Sequence, residues 1–285
     1  MSSTNSSTTF SNIFPSYFNQ LEAAISKNPR EANLGGIPST INKVRAYIRL
    51  KSARKELGAE NELFRRIGQD GDYPWVLVFH LLRSGLTKEA AQYVAENEPF
   101  FKAHDRAFIS AIAYYTKDPD RRLNQDLQTR INNTFSSRAR IAAADDDPYC
   151  TACYKVIGRC ELSRRNIEGI GQSMEDWVWL QFNLVRETVR SEDSPTESFG
   201  LEELRATISD IGQRHFSPGS ENAGGYGTFF FLQILAGMFE QAVSFLYQHN
   251  YTAAVHFAIA LDYYGLLRVA DWTSSGSEIC RHCPP

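Results

Sequence analysis

The sequence predicts an all-α protein, an irregular α-solenoid built from stacked antiparallel helix pairs. Apolar residues recur at the helical period along almost the whole chain, and no stretch alternates apolar and polar residues long enough for a half-buried strand. Short turn-forming segments separate the periodic stretches. The chain has 285 residues, which is long for one compact core and suits an array of helices.

The helical elements follow from these patterns in chain order. The first predicted helix, 13–27, repeats apolar residues every three or four positions. A later helix has Pro74 in its first turn and ends at Gly85, which is the usual placement of proline and glycine. Thr87 is predicted to cap the next helix, which extends to about residue 98. The other predicted helices cover 38–57, 101–115, 122–142, 148–160, 174–187, 201–214, 228–248 and 252–270.

An internal similarity supports the stacking of helix pairs. SGLTKEAAQYV (84–94) aligns without gaps with AGMFEQAVSFL (236–246). Both segments have glycine in second place and small residues where two helices would cross closely. We therefore predict two helical hairpins, with Gly85 and Gly237 at their turns. Because no fixed period of about 34 residues is present, the array is predicted to be irregular and not of the tetratricopeptide type.

Composition and charge exclude several classes of protein. Hydrophobic residues make up 42% and charged residues 22% of a chain with net charge -3, which is globular and not strongly attracted to nucleic acid. Residues 1–12 lack the basic and apolar parts of a signal peptide and predict a disordered tail. The longest apolar run is interrupted by polar residues and is too short to span a membrane, so we expect an intracellular soluble chain. The predicted solenoid covers 13–270, and an irregular tail covers 271–285.

The cysteines are the most conspicuous candidates for a chemical site. Cys150 and Cys153 form a C-x-x-C pair in a predicted helix that also contains Cys160, and Cys280 and Cys283 form a second pair. A zinc site needs four converging ligands, and the second pair lies about 120 residues further on in a tail without periodicity. A redox pair would be expected in a thioredoxin-like context. We therefore predict that the helical cysteines are small core residues and that no metal or cofactor is bound.

Three other short motifs have structural explanations. The S-x-x-K match at Ser52 and Lys55 lies in a basic helix and lacks the companion motifs of β-lactamases. AGGYGT (223–228) lacks the G-K-[ST] ending of a phosphate-binding loop, so it predicts a turn. Ser173 and Asp176 predict a capping box in place of a pair of catalytic carboxylates. No catalytic constellation remains, and the sequence predicts a protein that is not an enzyme.

Two helices and the histidines are further candidates for binding elements. WVWLQFNLV (177–185) is apolar nearly all round, which predicts a helix buried between neighbours. The six histidines are scattered without the H-E-x-x-H pattern, so they are predicted to be structural. The helix NKVRAYIRLKSARKEL would permit nucleic-acid contact, but the whole chain is not basic, and a solvated face beside acidic neighbours is favoured. Its basic residues are Lys43, Arg45, Arg49, Lys51, Arg54 and Lys55.

Four long blocks resemble one protein family. DPYCTACYKVIGRCEL (147–162), followed by SMEDWVWLQFNLVRE (173–187), resembles a paired signature of the nucleoporin-interacting component family, the scaffold nucleoporins of the inner ring of the nuclear pore complex. GDYPWVLVFHLLRSGLTKEA (71–90) and FEQAVSFLYQHNYTAAVHFAIALDYYGLLRV (239–269) are similar to further blocks of that family, in the same order and with a fungal character. The resemblance spans about residues 37–270.

The resemblance implies a structural protein of the nucleus, located in the nuclear pore complex at the nuclear envelope. It implies partners among the other nucleoporins, namely large solenoid adaptors and a membrane-associated linker nucleoporin, without direct nucleic-acid contact or membrane insertion. It assigns no partner-binding residues. A cytosolic α-solenoid adaptor that binds peptide motifs is the alternative function.

The family members are longer than this chain. They anchor channel nucleoporins through an N-terminal coiled-coil region, and no heptad region is present here, so we do not expect channel anchoring from these residues. Their solenoid also continues beyond the pattern that ends near residue 270. We therefore expect the chain to be part of a solenoid, with an exposed apolar face on its last two helices. The apolar residues of those helices are Phe239, Phe245, Leu246, Phe257, Ile259, Leu261, Leu266 and Leu267.

Overall fold

The computed structural model describes residues 17–35, 39–57, 67, 71–141, 147–167, 169–170, 173–186, 199–216 and 225–268. Within these ranges the chain forms fourteen α-helices and an isolated β-bridge between Ile67 and Asp72, with no longer strand. This confirms the prediction of an all-α fold built from packed helix pairs, as in an irregular α-solenoid. The predicted tails, 1–12 and 271–285, lie outside the described residues.

The helices of the described ranges are numbered in chain order. They are α1 (Tyr17–Lys27), α2 (Pro29–Ala32), α3 (Thr40–Ala53), α4 (Pro74–Arg83), α5 (Thr87–Glu96), α6 (Glu98–His104), α7 (Arg106–Lys117), α8 (Gln125–Ile141), α9 (Pro148–Gly158), α10 (Met174–Leu184), α11 (Leu201–His215), α12 (Tyr226–Leu235), α13 (Phe239–His249) and α14 (Tyr251–Tyr263).

Two predicted helices are each divided in the structure. The predicted helix 101–115 belongs to α6 and α7, because Asp105 between them has extended backbone and its carboxylate accepts a hydrogen bond from the Ala107 N–H at 2.8 Å. The predicted helix 228–248 is α12 and α13, separated by the turn around Gly237. In both places a continuous apolar period conceals a turn, since periodicity does not register a break of one to three residues.

Two predicted helix ends also differ. Thr87 is the first helical residue of α5 and not its cap, because the preceding Leu86 occupies the cap position and no side chain there accepts a hydrogen bond. The last predicted helix, 252–270, ends at Tyr263, where the turn around Gly265 follows.

The described residues form two compact units. The first contains α1 to α10 and ends at Leu184, and the second contains α11 to α14. In the second unit, α12 packs against α11 and α13, and α13 packs against α14. Gly212 of α11 allows a close approach there, because a Cβ at this position would collide with the ring of Phe229 in α12. A single solenoid over 13–270 remains a prediction.

Two helices form the centre of the first unit. α4 packs against α3, α5 and α9, and α9 packs against α4, α7, α8 and α10. All residues of α4 except Arg83 are buried, as are all residues of α9 except Thr151. A helix that is apolar on every side is stable only when neighbours cover all of it. The other helices of the unit provide that cover.

Three glycines end their helices with the same hydrogen-bonded turn. Gly85, Gly237 and Gly265 have φ values of 77°, 68° and 65°. In each turn the glycine N–H donates to the carbonyl three residues back, at 3.0, 3.1 and 2.8 Å, and the following N–H donates to the carbonyl five residues back, at 2.9, 2.9 and 2.8 Å. This is the Schellman arrangement, which favours glycine because of its positive φ. The hairpin turns predicted at Gly85 and Gly237 are therefore confirmed.

We expect Gly85→Ala to lower the free energy of unfolding by about 1–2 kcal/mol, the cost of placing a Cβ in left-handed backbone. No atom lies within 4 Å of a Cβ built at this position, so the cost comes from the backbone alone. Gly227 in α12 is the matched control, because its site is equally open and its φ is not positive. Urea unfolding should show Gly227→Ala to be neutral or slightly stabilising. Equal losses at both sites would contradict the role of the turn.

Candidate functional site

The C-x-x-C pair lies in the central helix α9, and Cys160 lies two residues beyond the end of that helix at Gly158. Cys150, Cys153 and Cys160 are all buried, and none of them forms a disulfide. The Sγ of Cys153 lies 3.8 Å from the carbonyl oxygen of Trp75 in α4. Burial, and to a lesser extent the neighbouring Cys150, raises the pKa of the Cys153 thiol well above its usual value. A thiol held in this form is neither a good nucleophile nor a thiolate ligand.

The surroundings of these cysteines do not resemble a metal centre. In the described ranges, no group of three or more His, Cys, Asp or Glu side chains converges as metal ligands would. Cys280 and Cys283 lie outside those ranges, so the interpretation of the second pair stays a prediction. The core position of the helical cysteines, which the sequence predicted from their shared apolar face, is confirmed by their burial.

An almost buried ion pair connects three helices of the first unit. The Arg83 Nε donates to Asp176 Oδ1 at 2.8 Å, which joins the end of α4 to the start of α10. The guanidinium carbon of Arg83 lies 4.5 Å from the ring centroid of Tyr17 in α1 and 5.2 Å from that of Trp179 in α10. Cation–π contact strengthens such a pair where water is excluded. Arg83 therefore holds α1, α4 and α10 together.

The predicted capping box at the start of α10 is confirmed. The Asp176 N–H donates to Ser173 Oγ at 3.2 Å, and the Ser173 N–H donates to Asp176 Oδ2 at 3.2 Å. The Asp176 carboxylate therefore uses Oδ2 in the capping box and Oδ1 in the ion pair with Arg83. The prediction that 177–185 is buried between neighbours is correct for only one side of the helix. Trp177, Trp179 and Phe182 are only half-buried, because α10 packs mainly against α9.

A buried histidine adjoins this cluster. His80 of α4 is buried, and its Nδ1 lies 2.8 Å from the Tyr17 hydroxyl. The ring of Tyr47 meets that of His80 edge-on at 5.5 Å, and the buried His80 Nε2 has no hydrogen-bond partner. Burial lowers the pKa of His80 well below its usual value, and the cations of Lys51 and Arg83 lower it further. The imidazole is therefore neutral in the folded protein.

The tyrosine that contacts His80 is also held neutral. Burial, with a smaller contribution from Tyr47, raises the pKa of Tyr17 well above its ordinary value. A protonated Tyr17 hydroxyl can donate to the unprotonated Nδ1 of His80. The pair is a neutral hydrogen bond within the core, which fits the prediction that lone histidines in this chain are structural.

The structure describes parts of the other two short motifs. The Ser52 Oγ lies 3.4 Å from the Tyr73 hydroxyl, and Lys55 follows the end of α3 with φ 56°. Of the glycine-rich stretch, residues 225–228 are described, and Gly225 lies directly before α12.

The basic helix is α3, and acidic neighbours neutralise much of its charge. Three of its six basic side chains pair with carboxylates, which come from α1, from α2 and from Asp72 of the β-bridge. Lys51 lies over the ring of Tyr47, with its Nζ 5.5 Å from the ring centroid. These contacts support the predicted solvated face more than a nucleic-acid interface. The ion pairs are Lys43–Glu22 at 2.6 Å, Arg45–Asp72 at 2.9 Å and Arg54–Glu31 at 3.1 Å.

Sequence reasoning missed a buried lysine that organises the loop after α9. The Nζ of Lys155 donates to the carbonyl oxygens of Arg164 at 2.9 Å and Asn166 at 3.0 Å. It also lies 3.0 Å from Glu161 Oε2. All three partners come from the following loop, so the ammonium group closes that loop against the central helix. The sequence pattern of α9 contains no sign of these partners, because two of them are backbone carbonyls and the third, Glu161, lies beyond the end of the helix.

The second unit exposes a group of apolar side chains, here named the C-terminal apolar face. It lies on α14 and the turn after it. Of the apolar residues predicted to be exposed in these helices, Leu246 and Leu261 are instead buried, and Phe239, Phe245 and Leu267 are half-buried. Among the described residues no helix is long and apolar enough to span a bilayer. The face consists of Tyr251, Phe257, Ile259, Tyr263, Tyr264 and Leu266.

We expect Cys153→Ala to lower the free energy of unfolding by about 1 kcal/mol, the scale of a small buried group. Cys153→Ser should cost more, because it buries a hydroxyl whose nearby acceptor, the Trp75 carbonyl, is 3.8 Å from the sulfur. Chemical denaturation of the two variants measures the difference. Stoichiometric zinc in the purified wild-type protein, measured by elemental analysis, would contradict this assignment.

The buried His80 should make stability depend on pH. Below the unfolded-state pKa of about 6.5, the unfolded chain binds a proton that the folded chain does not. The free energy of unfolding should therefore fall as pH decreases from 6.5, by up to about 1.4 kcal/mol per pH unit. His80→Phe should flatten the profile between about pH 6.5 and 5. Identical slopes for wild type and His80→Phe would refute this account.

Comparisons with known proteins identify the family. The family model described as Nup93/Nic96 matches residues 15–283. The chain is 48% identical over 269 residues to Nucleoporin NIC96 of Chaetomium thermophilum, covering 93% of this chain and 24% of that protein. It is 28% identical over 250 residues to Nuclear pore complex protein Nup93 of Xenopus laevis, covering 86% of this chain and 28% of that protein.

A solved structure agrees with these matches. The crystal structure of Chaetomium thermophilum Nic96 SOL superposes with a TM-score of 0.83 at 48% identity, covering 92% of this chain and 37% of that chain. The chain spans roughly a quarter of the length of the curated relatives described above. The resemblance noted in the sequence is thus confirmed: the chain belongs to the Nup93/Nic96 family.

Proposed function

We propose that the chain is part of a scaffold nucleoporin, a structural constituent of the nuclear pore complex at the nuclear envelope. Its contribution to nucleocytoplasmic transport is to bind other nucleoporins and not to catalyse a reaction. The observation that carries the proposal is the 48% identity to Chaetomium thermophilum Nucleoporin NIC96 across 93% of the chain. Proteins that share a fold at that level of identity commonly share a function.

The geometry of the first unit suits a scaffold. Its two central helices are covered on every side, and the Arg83–Asp176 pair fixes the relative positions of three helices. Interactions of this kind hold a binding surface in one conformation, which lowers the entropic cost of binding a partner. The proposed partners are large solenoid nucleoporins and a membrane-associated linker nucleoporin, which would contact the outward surfaces of the helices.

Localisation and proximity labelling in a fungal cell test the proposal. The full chain, fused to a fluorescent protein and a biotin ligase, should give a punctate nuclear rim and label other nucleoporins. Cys153→Ala should behave as the wild type, because the thiol has no role in binding. Leu77→Asp should abolish the nuclear-rim signal, because it places a charge in the buried face of α4. A diffuse cytosolic signal that labels only cytosolic proteins would instead favour a peptide-binding adaptor.

A further inference from the structure

Described residues of the first unit line a polar cavity beside α3. Its volume is about 270 Å³, and its lining comes from α3, from the residues that follow α2 and from the turn at Asp72. Close-packed proteins contain few voids larger than a water molecule, so a cavity of this size has room for a ligand. Two arginines of α3, Arg45 and Arg49, belong to the lining. Because they are four residues apart, they lie on the same side of the helix.

Arg45 is held in a fixed position at the wall of the cavity. Its Nε donates to Asp72 Oδ2 at 2.9 Å, and its Nη1 donates to Asn42 Oδ1 at 3.0 Å. The backbone of Asp72 is fixed in turn by two hydrogen bonds of 2.9 Å with Ile67. These contacts use two of the three guanidinium nitrogens and leave Nη2 for a ligand. A guanidinium group that is already ordered loses little entropy when it binds.

Arg49 supplies a positive charge that no described residue neutralises. Arg45 is paired with Asp72, whereas Arg49 is exposed and forms no ion pair or hydrogen bond with a described residue. The charged side chains of the lining are two arginines and one aspartate, which gives a net charge of +1. A concave surface of one sign concentrates ligands of the opposite sign, so the cavity favours an anion.

We propose that this cavity binds a carboxylate side chain of an acidic peptide segment from a partner protein. Arg49 and the remaining Nη2 of Arg45 hold the carboxylate by charge-assisted hydrogen bonds. The proposal rests on the proposed function, since a scaffold nucleoporin acts by binding other proteins. It names a binding site and a chemical class of partner that the family membership does not supply.

The size and the floor of the cavity favour one anchoring side chain. Ile48, Tyr73 and Leu77 line it and are buried, so they provide apolar contact for the methylene groups of a glutamate. The volume lies just below the range of about 300–1,000 Å³ for pockets that enclose a whole small ligand. A single side chain of a peptide that continues across the surface fits this space better than a free cofactor does.

The charges of the same helix favour a short acidic segment over nucleic acid. A nucleic-acid interface needs a series of uncompensated cations that follow the phosphate backbone. Lys43 and Arg45 of α3 are instead paired with Glu22 and Asp72, at 2.6 and 2.9 Å. The unpaired charge in the cavity is that of Arg49, which suits one carboxylate and not a polyanion.

Fluorescence anisotropy of a labelled peptide of alternating glutamate and serine, titrated with the purified full chain, tests the proposal. The wild type should bind this peptide and not the peptide with glutamine in place of glutamate. Arg49→Gln should raise the dissociation constant at least about tenfold, because it removes a charged donor. Arg106→Gln is the matched control, because Arg106 is an exposed arginine of α7 that does not line the cavity. Thermal melts of both variants should match the wild type and so exclude misfolding.

Hydrogen exchange locates the bound peptide independently of any substitution. Saturating peptide should slow amide exchange in α3 and at residues 71–73, which form the lining, and should leave α7 unchanged. Binding should also weaken as the salt concentration rises, because the contact joins charges that water can reach.

Three results would overturn the proposal. The first is a dissociation constant weaker than about 1 mM for the acidic peptide and the wild-type chain. The second is equal binding by the wild type and Arg49→Gln, which would place the contact elsewhere. The third is displacement of the peptide by inorganic phosphate of equal affinity, which would make the cavity a site for a free anion. A nuclear-rim signal without peptide binding would reject this site alone, and a diffuse cytosolic signal with peptide binding would reject the nuclear-pore function alone.

Discussion

The first unit depends on the packing of α4 against α9, two helices that lie more than sixty residues apart in the chain. Both are apolar on nearly every side, so neither is stable as a surface helix. Trp75 of α4 contacts the rings of Phe108 and Phe101 at centroid distances of 4.7 and 5.1 Å and that of Tyr154 in α9 at 6.1 Å. α3, α5, α7, α8 and α10 take their positions by covering what this pair leaves exposed.

The size of the side chains explains why cysteine occurs in the central helix. α9 has neighbours on four sides, and close packing there requires small residues. A Cβ at Gly158 would collide with the side chain of Ile131 in α8, which shows that this side chain packs directly on the backbone of α9. Cys150 and Cys153 satisfy the same requirement as small hydrophobes with little polarity. The C-x-x-C spacing places two small side chains on one face of the helix. A motif search that compares residue letters alone cannot distinguish this packing role from a metal site.

Features that depend on neighbouring residues could be predicted from the sequence, and features that depend on distant ones could not. The glycine turns, the capping box and the buried cysteine face follow from local hydrogen bonding and periodicity. The Arg83–Asp176 pair joins residues 93 positions apart, and the partners of Lys155 are mostly backbone carbonyls. Neither of these interactions can be recognised from the helical periodicity of the sequence. The division at Asp105 is an exception among the local features, because one extended residue inside an apolar stretch does not disturb the helical period.

A comparison of α4 with α14 shows that local sequence does not decide burial. Each helix has a single formally charged side chain near its end and one histidine in its middle part, and each is followed by the same glycine turn. Among the described residues, neighbouring helices cover α4 on every side, but they cover only one side of α14. A helix of this composition loses hydrophobic stabilisation wherever water reaches it. The composition of α14 is therefore that of a covered helix, although the described residues cover only one side of it.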